Sequence, residues 1–206
     1  MAFMVDDEPI IVGLVGQVCA GKSAVAEMFR KHHVQVYDAD KAVHDLYKRP
    51  DVIAEVVKKF GPGVLDTKGI IDRKALGKIV FSDAKKLAQL TREIIFPRTG
   101  AQMQTVIDQF RKSRANMLVL DAPSLFEAGR EYLCNYILHI AAPIERREEW
   151  AQKRGWPPGE VRRRESMMIP DSEKRKHADM LLANSGTLEE LERRVGRLFW
   201  NKPFTI

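Results

Sequence analysis

Seven uncharged residues, Ile10-Ile11-Val12-Gly13-Leu14-Val15-Gly16, lead straight into Gln17-Val18-Cys19-Ala20-Gly21-Lys22-Ser23. The apolar run does not alternate with polar residues, so it reads as a strand covered on both faces, as in a parallel sheet layered by helices. The run ends in G-x-x-x-x-G-K-S, and residues 24–31 have the composition of a helix. Strand, glycine turn and helix in that order constrain the fold more than any other stretch. Gly16 and Gly21 let the backbone turn sharply, so that successive N–H groups point inward as a cradle for phosphate oxygens. The helix brings its positive N-terminal end to the same point. Lys22 supplies a full charge to β- and γ-phosphates, and the Ser23 hydroxyl can ligate Mg²⁺.

The whole chain narrows the class without choosing a partner. Its 206 residues suit one domain with insertions, or a core with a small appended domain. Hydrophobic residues make up 45% and charged residues 30%, as in an ordinary globular protein. A net charge of +6 and a pI near 9.3 suit anionic partners. No apolar run approaches the ~20 residues of a membrane span. Asp6, Asp7 and Glu8 near the start argue against a signal or transit peptide. Cys19 and Cys134 are too few for a disulfide framework and lack metal-ligand spacing. The expectation is a reduced, cytoplasmic protein with no membrane partner.

Val34-Gln35-Val36-Tyr37-Asp38-Ala39-Asp40 reads as a second short strand with two acids at its C-terminal end. In extended chain, residues two apart point to the same side, and parallel α/β sheets bind ligands at that edge. Asp38 and Asp40 are therefore candidates for catalysis or for the metal, with a helix cap over residues 41–47 as the other use of Asp40. Residues 51–60, 73–80, 83–95 and 97–112 read as helices, with Asp72 capping the second of them and Pro97 breaking between the last two. A mainly helical stretch between two buried strands reads as an insertion that packs over the site. Met117-Leu118-Val119-Leu120-Asp121 returns to a buried strand ending in an acid, where such a protein holds Mg²⁺ through water. Glu127 follows near the same edge. Residues 135–142 and 179–183 are two more strands, with His139 as a satisfied core histidine. A closing helix over 188–199 turns Leu188, Leu191, Val195, Leu198 and Phe199 inward.

Between Pro143 and Ala178 basic residues concentrate, Arg146, Arg147, Arg154, Arg164 and Lys174 among them, interleaved with acids at helical spacing. Most of these read as a solvated face. Transfer of a phosphoryl group nonetheless needs positive charge, commonly from arginines on a closing lid, and Gly155-Trp156-Pro157-Pro158-Gly159 suits a lid tip. Nucleic acid is not expected as a partner, because the acids are evenly mixed in and no aromatic platform accompanies the charge.

With these elements in place the chain resembles the dephospho-coenzyme A kinase family from Ile10 to about Leu198. Val36-Tyr37-Asp38-Ala39-Asp40 resembles the family's hydrophobic-Asp-Ala-Asp segment. Phe60-Gly61, and Gly69-Ile70-Ile71-Asp72-Arg73-Lys74-Ala75-Leu76-Gly77-Lys78-Ile79-Val80-Phe81, are similar to its pattern nearly residue for residue. Pro123-Ser124-Leu125-Phe126-Glu127, Ala178-Asp179 and Asn184-Ser185-Gly186 resemble further family segments. The resemblance implies an ATP- and Mg²⁺-dependent transfer to the ribose 3′-hydroxyl of dephospho-CoA, with Asp40 accepting the hydroxyl proton. It places Gly16, Gln17, Val18, Cys19, Ala20, Gly21, Lys22, Ser23 and Ala24 on the nucleotide, with Lys22 and Ser23 serving phosphates and metal. It sets Asp38, Arg73, Leu125 and Glu127 around the acceptor, Arg154 and Arg164 on the lid, and Asn184 at the adenine. Phe96, Trp150, Met168 and the pair Cys19 and Ala20 depart from the family pattern.

The expected architecture is α/β: a P-loop NTPase-type parallel five-stranded sheet flanked by helices. Its core is 8–40, 116–145 and 177–202, with a helical acceptor-binding insertion at 41–115 and an arginine-rich lid at 146–176. A monomer or weak homo-oligomer is expected. A kinase of another small acceptor (nucleoside, nucleotide or sugar) and a nucleotide-binding regulator without turnover are the competing readings.

Overall fold

The uncharged run forms β1 (Ile10–Gly16), buried along its whole length. A computed structural model describes residues 9–200, and the side chains up to residue 198. β1 is the middle strand of a five-stranded sheet ordered β2-β3-β1-β4-β5. The other strands are β2 (Gln35–Asp38), β3 (Met117–Asp121), β4 (Tyr136–Ala141) and β5 (Met180–Ala183). β1 pairs in parallel with β3 on one side and β4 on the other, and β4 pairs in parallel with β5. The register sets Leu14 opposite Asp121 and Gly16 opposite Ile140, so both neighbours end beside the glycine turn. A central strand in a parallel sheet is covered on both faces, which is why its sequence shows no alternation.

The chain divides into two compact units: residues up to 37 with those from 109 onward, and residues 38–108. In the first, α1 (Lys22–Lys31) follows the turn, and the arginine-bearing segment forms α7 (Ile144–Lys153), α8 (Glu160–Glu165) and α9 (Asp171–Lys176) before β5, with α10 (Leu188–Trp200) last. Its core joins Val12 and Leu14 of β1, Val25 and Phe29 of α1, Leu138 and Ile140 of β4, and Leu191 and Val195 of α10. Thr187 and Glu190 close a capping box at the start of α10, each backbone N–H donating to the other's side chain (2.9 and 3.2 Å). Leu188 is 66% exposed, contrary to its expected inward place. It lies on the same face as Leu191 and Val195 but is the first residue of the helix, beyond the core that those two reach. The side chain of Phe199 lies outside the described residues.

The second unit contains α2 (Ala39–Leu46), α3 (Pro50–Phe60), α4 (Arg73–Val80), α5 (Ala84–Ala88) and most of α6 (Phe96–Arg111). Leu46, Val52, Val56, Leu76 and Ile94 are at the centre of its own core. Two expectations change here. The extended reading of 34–40 fails, because β2 stops at Asp38 and α2 begins at Ala39. Asp38, not Asp40, is the N-cap, accepting the Lys41 N–H at 2.8 Å, and Asp40 lies exposed in the first turn. Residues two apart on a helix are separated by about 200° around its axis, so the two carboxylates do not share a direction. Nor does Pro97 break the chain. Residues Gln89–Ile95 form a π-helical segment that runs directly into α6, and Pro97 falls in the first turn of that helix, where a missing N–H costs little.

Asp72 caps α4 through the N–H groups of Lys74 (2.8 Å) and Ala75 (3.3 Å), which fixes Arg73 as the first helical residue. Asp72→Ala should lower stability by about 1 kcal/mol, read as a shift of the urea midpoint at unchanged slope.

Candidate active site

Two glycines and one cysteine shape the turn after β1. Gly16 leaves the strand at φ 156°, and a Cβ there would strike the carbonyl oxygen of Ile140. Gly21, at φ 96°, is the N-cap of α1, and a Cβ there would strike the side-chain amide of Asn184. Between them Cys19 holds φ 60°, a left-handed conformation that favours glycine and strains an L side chain. α1 has no side-chain cap and no acid in its first turn. Its leading N–H groups are thus available to an anion. Ser23, exposed in that turn, offers its hydroxyl at the same end, with Ala24 next along the helix.

Side chains from distant parts of the chain hold this turn. Lys22 Nζ lies 3.2 Å from Asp121 Oδ1, both largely buried, so the lysine is already extended toward the end of β3. Asn184 Nδ2 donates to the Ala20 carbonyl at 2.9 Å. The Val18 N–H donates to Glu165 (3.2 Å), while its carbonyl accepts from Arg147 Nη1 (3.2 Å). Arg147 and Glu165 meet at 2.5 Å, and Arg147 Nε donates to the Ala142 carbonyl. Gln17 accepts the Ala142 N–H and donates to Asp171, each at 3.0 Å. Beside the turn is a cavity of about 310 Å³, lined by Gly16, Gln17, Glu165, Met168, Asp171 and Lys174 among others.

The sequence-expected residues fall into three groups. Lys22, Asp121, Cys19, Arg154 and Asn184 are brought together at the turn, with Arg154 Nη1 3.9 Å from Cys19 Sγ. Arg164 instead pairs with Glu160 (2.8 Å) and stacks over Trp156 at 3.8 Å from its ring centre. Leu125 is 1% exposed and packs toward Gly13, so it offers a ligand backbone and no side-chain surface. Glu127 accepts from the Ile169 N–H (3.2 Å) and pairs with the buried Lys174 at 2.6 Å, leaving Oε2 buried without a partner. Asp38, Asp40 and Arg73 belong to the 38–108 unit, where Arg73 offsets part of the burial that pushes the Tyr47 hydroxyl up to about 12.

Sequence reasoning missed Arg147, Glu165, Asp171 and Lys174, placing the basic ones on a solvated face. A signal was present: Arg147, Ala151 and Arg154 lie four and three apart on one side of α7, and Ala151 is buried. Cys19 also departs from expectation. N–H groups and a helix N-terminus lower the pKa of a thiol in general, but here burial pushes it up, and Arg154, Arg164 and Arg147 offset that only in part. His139, expected to be fully satisfied, is buried with Nδ1 unpartnered.

A central β1 ending in G-x-x-x-x-G-K-S, an acid closing the adjacent strand and arginines brought to the turn define a P-loop kinase architecture. A family model described as dephospho-CoA kinase matches residues 10–190. The dephospho-CoA kinase of Aquifex aeolicus is 38% identical over 189 residues, covering 91% of this chain and 95% of that one. That of Deinococcus radiodurans is 37% identical over 185 residues, covering 89% and 88%. Among solved structures, TT1252 from Thermus thermophilus superposes with a TM-score of 0.76 at 33% identity, covering 93% of this chain and 96% of that one. The Campylobacter jejuni dephospho-CoA kinase shares the fold, with a TM-score of 0.63 at 21% identity and the same coverage. The chain belongs to the dephospho-CoA kinase family.

Two measurements follow from the local chemistry. Cys19 should alkylate more slowly at pH 7 than an exposed thiol, and Cys19→Gly, by releasing the left-handed strain, should stabilise the chain by about 0.5 kcal/mol. A loss above about 1 kcal/mol would mean that the packing of the thiol outweighs its backbone strain. Burial holds the His139 imidazole below its ordinary value of 6.5, against the pull of Asp171. The unfolded chain takes up a proton that the folded chain refuses, so this contribution is complete above 6.5 and is lost as pH falls below it. Urea stability should therefore decline from that point downward, and His139→Gln should flatten the step.

Proposed function

We propose that the chain transfers the γ-phosphoryl group of ATP to the 3′-hydroxyl of the dephospho-CoA ribose, giving coenzyme A. The observation that carries this reading is a turn already shaped for phosphate, with Lys22 tied to Asp121, in a chain whose residues 10–190 match that family. The backbone N–H groups of Cys19, Gly21 and Lys22 are assigned to the phosphates, with Gln17, Val18 and Ala20 holding the turn, the Ala20 N–H donating to the Gln17 carbonyl at 3.1 Å. Ala24 and Asn184 are assigned to the nucleotide side.

Mg²⁺ is assigned to Ser23 directly and to Asp121 through water. The donor set fits: one hydroxyl and one carboxylate suit an ion that keeps waters and takes oxygens from phosphates, and no cluster of three or more His, Cys, Asp or Glu occurs among the described residues. The ion, when bound, neutralises phosphate charge. Lys22, held near the end of β3 by Asp121, would set its charge on the β- and γ-phosphates. Arg154, exposed and close to Cys19, is assigned to the transferring phosphoryl group, whose equatorial oxygens need positive charge as the bond breaks. Asp40 is assigned as the base that orients and deprotonates the acceptor hydroxyl. Its exposure in the first turn of α2 leaves it open to a substrate, as Asp38, committed to its cap, is not to the same degree.

Asp38, Arg73, Glu127 and Arg164 are assigned to the acceptor with the backbone at Leu125, residues 41–115 to acceptor binding, and the 146–176 segment to the arginine lid. A monomer or weak homo-oligomer is the assembly that goes with this reading. Among the described residues no helix is long and apolar enough to cross a membrane. Cys19 and Cys134 are both free thiols, which suits a reduced, cytoplasmic setting.

Asp40→Asn should cut turnover of dephospho-CoA by about 10²- to 10⁴-fold while MgATP affinity stays unchanged, as read by coupled ADP release and by titration. Normal turnover in this variant would remove Asp40 from the chemistry. Equal turnover of a simple nucleoside by the parent chain would remove dephospho-CoA as the acceptor.

A further inference from the structure

Gln17 spends both ends of its amide on the protein. Its Oε1 accepts the Ala142 N–H just beyond β4, and its Nε2 donates to Asp171 Oδ2, 154 residues away in sequence. The other oxygen of Asp171 meets His139 Nε2 at 2.7 Å. A carboxylate only accepts, so the proton order is fixed: Gln17 donates to one oxygen, and His139 carries its proton on Nε2 and donates to the other. His139 is wholly buried in β4, and its bare Nδ1 has no partner. Protonation there would create a buried donor with nothing to receive it, and the neighbouring Arg175 and Lys174 add their own opposition to a second charge. The imidazole thus stays neutral and acts as a fixed donor to Asp171.

The contact matters because of what Gln17 adjoins. The turn leads into an α1 N-terminus that has no side-chain cap, and N–H dipoles gathered at a helix start oppose one another until an anion joins them. Gln17 stands at the entrance to that turn, directly after Gly16. Rotating the turn outward would pull Gln17 away from both Ala142 and Asp171. Asp171 opens α9, at the far end of the segment that bears Arg147, Arg154 and Arg164. One carboxylate therefore ties the phosphate turn to the arginine-bearing segment and to the sheet.

We propose that Asp171 is a positioning residue for nucleotide binding, holding the phosphate turn in shape through Gln17 with His139 as its buried support. The inference rests on the ATP reading above but not on the identity of the acceptor.

The test is a titration of MgATP into the full chain without acceptor, together with ATP kinetics at saturating dephospho-CoA. Asp171→Ala should raise the Kd and KM for ATP about tenfold and leave kcat within about twofold, as expected for one charge-assisted hydrogen bond acting equally before and during transfer. Gln17→Gly should do the same, and the double variant Asp171→Ala/Gln17→Gly should bind ATP no worse than the weaker single variant, since all three lack the shared Gln17–Asp171 bond. Asp171→Asn should recover part of the affinity, because its oxygen can still accept from Gln17, and should lower the urea midpoint, because its amide can donate to His139 Nε2 only if the imidazole proton moves to Nδ1, which is buried without an acceptor. A merely structural brace would change the urea midpoint and leave the Kd alone. Unchanged affinity in Asp171→Ala, or losses that multiply in the double variant, overturns the inference. If Asp171→Ala does not fold, Gln17→Gly reads the same bond from the loop side. A parent chain that binds no MgATP overturns the ATP reading and this inference with it, whereas a parent that binds and an Asp171→Ala that binds equally well overturn this inference alone.

Discussion

Backbone N–H groups that converge on a single point have no ladder to hold them, and their dipoles oppose the curvature they need. In this chain the solution is external. Four residues of the turn are held by side chains from elsewhere: Gln17 by Asp171, Val18 by Arg147 and Glu165, Ala20 by Asn184, and Lys22 by Asp121. β4, β5 and the helices between them are placed so that these contacts can form. The parallel pairing of β1 with β3 and β4 sets Asp121 and Ala142 at the rim of the turn, and the segment 144–176 supplies the rest.

The strands and most helix limits were legible because each rests on local information. A buried strand announces itself by unbroken apolar residues, and α4 begins where Asp72 caps it and runs as far as expected. The glycine turn and Lys22 were legible for the same reason. The anchors were not: the bond from Val18 to Glu165 spans 147 positions, and neither residue type predicts the other. Asp40 shows a subtler failure. Two acids after a strand look extended by pattern, but Asp38 can cap a helix, and that local hydrogen bond ends the strand two residues early. At Pro97 the rule for α-helices was right, but the π-helical turns before it supply a geometry the rule does not consider.

The departures from the family pattern are accounted for by packing. Trp150 packs against the core of the first unit, with the Arg146 guanidinium over its ring at 5.9 Å. Arg147, one turn earlier on α7, brings a cation to the phosphate turn. Phe96 joins the apolar cluster of the 38–108 unit, and Met168 lines the cavity beside Gly16. Ala20 is 1% exposed, so a small side chain suits that position, whereas Cys19 carries the backbone strain.

The segment 144–176 is fastened at both feet. Arg147 ties its start to Val18 and Ala142, while Asp171 and the buried Lys174 tie its end to Gln17, His139 and Glu127. Such a span behaves as an arch and not as a hinged flap. Its crown, between Gly155 (φ 78°) and Gly159 (φ 78°), carries the backbone freedom, and a Cβ at either glycine would touch nothing. Trp156 in the crown stacks on Arg164, whose neighbour Glu165 is itself held by Val18 and Arg147. An arch of this kind can flex at its crown without loosening either foot, and the shape of the turn does not depend on where the crown stands.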